Sequence, residues 1–242
     1  MKSKFLGIAG LVAVTALPAV SHADLAFNAG LTSDYRYRGI SQTRLKPAVQ
    51  GGVDFSAGGF YLGAWASSIK WIKDAGGNAN AEIDLYGGYK GDIVKDALTY
   101  DVGVLTYQYP SNKLATKAET TEIYGALTYG PATLKYSHSV SNLFGFADSK
   151  SSSYLDLTAT FDVGGGISLA PHLGYQKVAN NGDFSYTDYS LTVSKDFSGL
   201  VLSAAVIGAE TKKIGGTPAY ASPANGKDLG KAGLVVGLKY TF

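Results

Sequence analysis

The feature that most constrains this chain is its last segment, residues 234–242, which reads Leu-Val-Val-Gly-Leu-Lys-Tyr-Thr-Phe. Counted back from the terminus by twos, every position is apolar: Phe242, Tyr240, Leu238, Val236 and Leu234. A β-strand points alternate side chains to opposite faces, so this segment has one apolar face and one mostly polar face. Termini of soluble domains usually fray. A barrel in a membrane has to end on a paired strand, because an open edge leaves backbone groups unsatisfied in lipid. The last strand of a soluble β domain is the alternative.

The N-terminus predicts export. Two lysines lie within the first four residues, an apolar run covers residues 5–17, and the Ser-His-Ala sequence at 21–23 offers a small-residue cleavage site. This pattern predicts a secretory signal peptide at residues 1–23, followed by a single transmembrane β-barrel domain over residues 24–242. No later apolar run approaches the roughly 18 residues of a membrane-spanning helix, so a membrane-embedded mature chain has to be a barrel.

The charge of the predicted mature chain is balanced. Without the two lysines of the signal segment, the 21 Lys and Arg residues become 19, equal to the 19 Asp and Glu residues. The sequence therefore predicts no nucleic-acid partner. There is no cysteine, which excludes disulfides and thiolate metal sites. With only His138 and His172 after the signal, no transition-metal site and no cofactor is predicted.

About twelve strands follow the signal, each near the 9–11 residues that cross a bilayer when tilted. The first is predicted over residues 24–38, with Tyr35 and Tyr37 on its lipid-facing side. The third alternates poorly, and its Trp65 side is favoured for lipid over its Phe60 side because it is bulkier. The other residues expected to touch lipid include Leu25, Phe27, Ile83, Leu85, Leu155, Leu157, Leu238 and Tyr240.

The connections between the predicted strands alternate in length. Those after even-numbered strands are short turns, whereas those after odd-numbered strands are mostly longer and richer in Lys, Asn, Ser and Gly. Short turns on one side and long loops on the other, with an even strand count, are typical of outer-membrane barrels. The predicted fold class is all-β: an antiparallel transmembrane β-barrel of about 12 strands. Its short turns and both mature termini are expected on the periplasmic side, and its longer loops outside.

Several motifs resemble one family. The stretch 31–43, Leu-Thr-Ser-Asp-Tyr-Arg-Tyr-Arg-Gly-Ile-Ser-Gln-Thr, is not explained by general barrel physics, and matching pieces follow at 47–52, 61–68, 82–89, 100–104 and 107–110. Together they resemble the TorF-type porin family of proteobacterial outer-membrane β-barrels. The last strand also resembles the terminal strand of such barrels, whose C-terminal Phe is an assembly signal. The resemblance implies a location in the bacterial outer membrane, a porin role and recognition by the barrel-assembly machinery, but no specific binding residues.

The polar strand faces point into the barrel if the apolar faces meet lipid. The pore-lining candidates are Asp34, Arg36, Arg38, Gln50, Asp54, Glu82, Asp84, Lys90, Asp101, Glu122, Lys135, Asp156, His172, Asp188 and Lys239. Asp34, Arg36 and Arg38 either constrict the pore mouth and set ion preference or form a structural ion-pair cluster. Acidic candidates outnumber basic ones, which permits a mild cation preference; a hydrated interior without selectivity is the alternative.

The predicted function is a porin-like channel that passes small hydrophilic solutes or ions through a narrow, charged lumen. About twelve strands fall between the filled eight-strand barrels and the open sixteen-strand porins. Outer-membrane lipid and lipopolysaccharide are expected partners of the barrel and its loop lysines. No catalytic residue is predicted, and the enzyme alternative, a lipid hydrolase, would need a nucleophile beside His138 or His172. The other alternative is a plugged structural or adhesion barrel that binds through the loop at 212–231.

Overall fold

The computed structural model describes residues 23–242. The predicted signal peptide, apart from its last residue, lies outside the described residues. Twelve strands form the barrel: β1 Ala23–Thr32, β2 Ala48–Ala57, β3 Phe60–Ser68, β4 Ala81–Val94, β5 Leu98–Gln108, β6 Thr120–Tyr129, β7 Ala132–Ser139, β8 Ser153–Ala159 continuing as Phe161–Gly164, β9 Ile167–Lys177, β10 Tyr186–Phe197, β11 Leu200–Glu210 and β12 Gly233–Thr241. The connections hold one short helix, α1 Trp71–Asp74, a 3-10 turn, Gly182–Phe184, and two small hairpins, Arg36–Tyr37 with Ile40–Ser41 and Lys213–Ile214 with Thr217–Pro218.

The strands form one closed antiparallel sheet. Each strand pairs with its sequence neighbours, and β12 pairs with both β11 and β1, so the sheet has no free edge. At the seam, Phe242 N–H donates to the Phe27 carbonyl at 2.9 Å, and Phe27 N–H donates to the Phe242 carbonyl at 2.8 Å. The rings of these two residues stack with centroids 6.0 Å apart. Closure satisfies the strand backbone internally, as a barrel in lipid requires, and it confirms the predicted twelve-strand barrel.

The outside of the barrel is an apolar surface built from alternate strand positions. Of the residues expected to touch lipid, those exposed there are Leu25, Phe27, Leu85, Leu155, Leu157, Leu238 and Tyr240, and Ile83 is partly exposed. Such a broad apolar surface is unusual for a soluble monomer and marks a contact with membrane or protein. Within residues 23–242, no helix has the length and apolar character needed to cross a membrane.

The two ends of the barrel differ as predicted. Tight turns join β2 to β3, β4 to β5, β6 to β7, β8 to β9 and β10 to β11, and both ends of the described chain lie with them. The longer connections lie at the opposite end. We call these the turn end and the loop end. Which end faces the cell exterior stays a prediction.

The first strand is shorter than the sequence pattern predicts. It ends at Thr32 rather than Arg38, and the following segment, residues 33–47, folds back into the barrel as an inner loop. Tyr35 and Tyr37, expected to face lipid, are 2% and 8% exposed. That prediction was wrong because the alternation of Tyr with charged residues continues beyond the strand, and these tyrosine hydroxyls find hydrogen-bond partners inside.

The third strand has the opposite orientation to the one favoured from the sequence. Phe60 and Leu62 face outward, whereas Tyr61 is buried and Trp65 packs inside against the ring of Tyr35. Bulk was the wrong criterion, because inward glycines on the same and adjacent strands provide room for large rings. A Cβ added to Gly63, for example, would collide with a tyrosine ring of β4.

Candidate functional site in the barrel lumen

The inner loop packs inside the loop end of the barrel. Residues 34–41 are all buried, and they form a hairpin in which Arg36 pairs with Ser41 and Tyr37 with Ile40. The turn of this hairpin has Arg38 at φ 45° and Gly39 at φ 77°. Gly39 also lies so close to the wall that an added Cβ would approach a carbonyl oxygen of β11 to 2.7 Å. The loop is therefore a packed constriction rather than a free lid.

Asp34 and Arg36 fix the base of this hairpin. Arg36 Nε donates to Asp34 at 2.5 Å, and the hydroxyls of Ser41 and Thr43 donate to the other carboxylate oxygen at 2.5 and 3.1 Å. Arg36 Nη1 also donates to backbone carbonyls of the hairpin and of the loop that precedes β12, at 3.0 to 3.1 Å. This cluster ties the inner loop to the longest outer loop.

Arg38 joins the tip of the inner loop to two walls of the barrel. Its guanidinium donates to both oxygens of Glu122 on β6 at 3.1 and 2.7 Å, and to Gln176 on β9 at 2.5 Å. It also lies over the rings of Tyr37 and Tyr154, 4.9 and 4.1 Å from their centroids. Burial alone would lower the pKa of Arg38, but the charge of Glu122 and the adjacent tyrosines hold that pKa well above its ordinary value. The tip is therefore a buried, paired cation.

Tyrosine hydroxyls supply hydrogen bonds to most of the carboxylates inside the barrel. Glu82 accepts from Tyr35 at 2.5 Å and from Tyr109 at 2.8 Å. The same pairing occurs nearer the turn end, where Tyr86 donates to Asp54 at 2.5 Å and Tyr61 donates to Asp101 at 2.6 Å. Tyr107 donates to Glu122 at 3.3 Å. Sequence reasoning treated tyrosines chiefly as strand and interface residues, so it missed Tyr35 and Tyr61 as lumen groups. The sequence did contain a signal for these lumen tyrosines, because the inward-facing acids, such as Glu82 and Asp101, need hydrogen-bond donors inside the barrel.

His172 lies between two carboxylates on the β8–β10 wall. Its Nε2 is 2.9 Å from Asp188, and its Nδ1 is 3.3 Å from Asp156. Tyr154 and Thr158 also contact the ring, each at 3.1 Å. A carboxylate at each ring nitrogen stabilises the doubly protonated imidazolium, which has no lone pair to act as a base. On this wall, His172, Asp156 and Asp188 together form a cluster of charged side chains.

The predicted pore-lining residues all face the interior, but they form two groups. Those buried around or beneath the inner loop are Asp34, Arg36, Arg38, Glu82, Asp84, Glu122, Asp156 and Asp188. Those partly exposed, most of them nearer the turn end, are Gln50, Asp54, Lys90, Asp101, Lys135, His172 and Lys239. Asp34, Arg36 and Arg38 lie in the inner loop, where their ion pairs form a structural cluster; constriction of the pore by this cluster stays a prediction. The role of these residues in permeation stays a prediction.

The family follows from a match along almost the whole chain. A family model described as "Bacterial protein of unknown function (Gcw_chp)" matches residues 16–242. The chain belongs to the Gcw_chp family. No curated protein matches this Gcw_chp chain. The resemblance to TorF-type porins stays a prediction, because the family description carries no such name.

Solved structures similar to the Gcw_chp barrel include a porin and an outer membrane phospholipase. The NanC porin aligns with a TM-score of 0.53 at 10% identity, over 90% of this chain and 99% of that one. Outer membrane phospholipase A from Escherichia coli aligns with a TM-score of 0.44 at 14% identity, over 93% of this chain and 98% of that one. OccK5 from Pseudomonas aeruginosa aligns with a TM-score of 0.44 at 12% identity, over 90% of this chain and 67% of that one. At these identities the similarity concerns the fold alone, and the NanC porin supports a porin-like barrel.

Proposed function

We propose that this barrel is an outer-membrane channel for small hydrophilic solutes or ions, with a narrow and charged path. The observation that supports it is the nature of the loop-end constriction. Its tip is held by Arg38, Glu122 and Gln176 through polar contacts, so charged and hydrogen-bonding groups line the loop end of the barrel. An apolar plug would offer a hydrophilic solute no such groups. Among the pore-lining candidates, eight are carboxylates and five are Lys or Arg, which favours cations.

The test is planar-bilayer conductance of the purified, refolded protein. We expect small current steps from the unaltered barrel, and larger steps when residues 35–43 are replaced by a short Gly-Ser linker. The matched control replaces the exposed hairpin at 213–218, which lies outside the lumen and should leave the steps unchanged. Absence of steps from the unaltered barrel at every voltage, with the barrel intact, would overturn the channel proposal.

A permanently closed structural barrel is the second candidate, because residues 34–41 are all buried inside the loop end of the barrel. The linker variant separates the two. A closed barrel should start to conduct only when the inner loop is removed, whereas a channel should conduct with the loop present.

We also propose that the barrel is not an enzyme. His172 is held between Asp156 and Asp188, so it has no nitrogen available to activate a nucleophile. His138 lies on β7 with its ring stacked on that of Tyr136; Ser153 lies opposite it in the strand register, but within residues 23–242 no hydroxyl forms a hydrogen bond with the His138 ring. Any esterase or phospholipase activity that is lost in both His172→Gln and His138→Gln would contradict this proposal.

The partners stay proposals of the same kind. The exposed residues Leu25, Leu157 and Tyr240 are suited to lipid, and exposed loop lysines such as Lys150 and Lys227 are suited to the phosphates of lipopolysaccharide. Recognition by the barrel-assembly machinery through the terminal Phe242 is consistent with its exposed ring beside the seam.

A further inference from the structure

Asp84 differs from the other carboxylates of the lumen. Each of the other seven acidic pore-lining candidates accepts a hydrogen bond from a Tyr, Arg, His, Ser or Thr side chain: Asp34, Asp54, Glu82, Asp101, Glu122, Asp156 and Asp188. In the described part of the chain, Asp84 forms no ion pair, and its Oδ1 is fully buried without a hydrogen-bond partner. The residue is 9% exposed. A buried carboxylate oxygen without a donor is costly and needs an explanation.

The surroundings of Asp84 are aromatic and acidic. In the strand register, its direct neighbours are Trp65 on β3 and Tyr107 on β5. On its own strand, the flanking inward residues are Glu82 and Tyr86. The Glu82 oxygens are occupied by two tyrosine hydroxyls, so Glu82 adds negative potential without supplying a donor. No basic side chain is adjacent to Asp84 in this register.

An aromatic ring beside a carboxylate can bind an ammonium group; Trp65 is the partly exposed ring here, whereas Tyr107 is 1% exposed and packed against Tyr37 and Phe144. The ring attracts a cation through its quadrupole, and the carboxylate accepts the N–H bonds of that cation. A metal ion fits less well, because the described residues contain no group of three His, Cys, Asp or Glu side chains able to hold one. A small organic cation could donate a hydrogen bond to Asp84 Oδ1 and also contact the ring of Trp65.

We propose that Asp84, with Trp65 beside it, is a binding site for a small primary ammonium solute on its way through the lumen. This site lies below the inner loop. The proposal rests on the proposed channel function, because a solute reaches Asp84 only through the lumen. It assigns small organic cations as the substrate class.

The test uses ethylammonium as the probe and calorimetric titration of the detergent-solubilised barrel at neutral pH. We expect saturable binding to the unaltered protein and a loss of about tenfold or more in affinity in Asp84→Asn. The matched control is Asp54→Asn, which removes an equal charge from a lumen carboxylate that already has the Tyr86 donor; it should change affinity little. A shift in electrophoretic mobility on heating confirms that each variant is folded.

Two outcomes would overturn the site. They are no binding to the folded, unaltered barrel and equal losses of affinity in Asp84→Asn and Asp54→Asn. Failure of the channel proposal is distinguishable, because it would abolish potassium chloride conductance while leaving ethylammonium binding and its dependence on Asp84 intact.

Discussion

Arg38 is the residue on which the loop-end constriction depends. Both it and Glu122 have side chains 1% exposed, so neither charge can turn to water when its partner is lost. Removing one member of a buried ion pair typically costs about 3–5 kcal/mol, because it strands the other charge, whereas replacing both by neutral groups is often close to neutral. The pair therefore fixes where the inner loop sits against β6.

The corresponding prediction is a double-mutant cycle. Arg38→Met and Glu122→Gln should each destabilise the barrel by about 3 kcal/mol or more, and the double variant should recover a large part of that loss. Urea unfolding of the refolded barrel, followed by far-ultraviolet circular dichroism, measures the free energy of unfolding of each variant. Strictly additive losses would mean that the two side chains do not interact as described.

At the scale of the element, the inner loop is a hairpin whose turn needs glycine for two separate reasons. Gly39 has a positive φ of 77°, and an added Cβ would meet the barrel wall. Gly58, in the turn between β2 and β3, shares the positive φ at 60° but has no atom near its would-be Cβ. Comparing the two glycines separates backbone strain from collision.

We predict that Gly39→Ala displaces the inner loop and that Gly58→Ala does not. Gly58→Ala, the control, should lose about 1 kcal/mol of stability, because alanine is strained at a positive φ. Gly39→Ala should lose more, and it should also raise the conductance and speed amide hydrogen exchange in residues 34–41. An equal effect of the two substitutions on stability and exchange would show that the loop is not tightly docked.

The same element shows where sequence reasoning succeeds and where it fails. Alternation assigns the strand faces well because each wall position meets either lipid or lumen, as at Leu155, Asp156 and Leu157. It fails at Tyr35, because a loop folded inside a barrel buries every side chain and so removes the contrast that alternation depends on. The inward charges were predictable as single residues. Their pairing across strands, such as Arg38 with Glu122, was not, since register and the inner loop both decide it.

At the scale of the whole molecule, orientation in the membrane is testable because the chain has no cysteine. Lys150 is exposed at the loop end and Lys95 is exposed at the turn end. Outer-membrane barrels place their short turns in the periplasm. We therefore predict that an impermeant thiol reagent labels Lys150→Cys, but not Lys95→Cys, on intact cells. Both should react after cell lysis, and the reverse pattern on intact cells would invert the topology.

Packing of Trp65 against the inner loop gives the molecule a built-in optical reporter. The sequence has only two tryptophans; Trp65 meets Tyr35 edge-on with centroids 5.4 Å apart, and Trp71 meets Tyr109 in the same manner at 5.3 Å. Release of Tyr35 would change the surroundings of the Trp65 indole directly, whereas Trp71 contacts the same loop through its backbone N–H, which donates to the Gln42 carbonyl at 3.2 Å. In a Trp71→Phe variant, intrinsic emission would then follow the movement of the loop in real time and without a label, on the same samples whose currents are recorded.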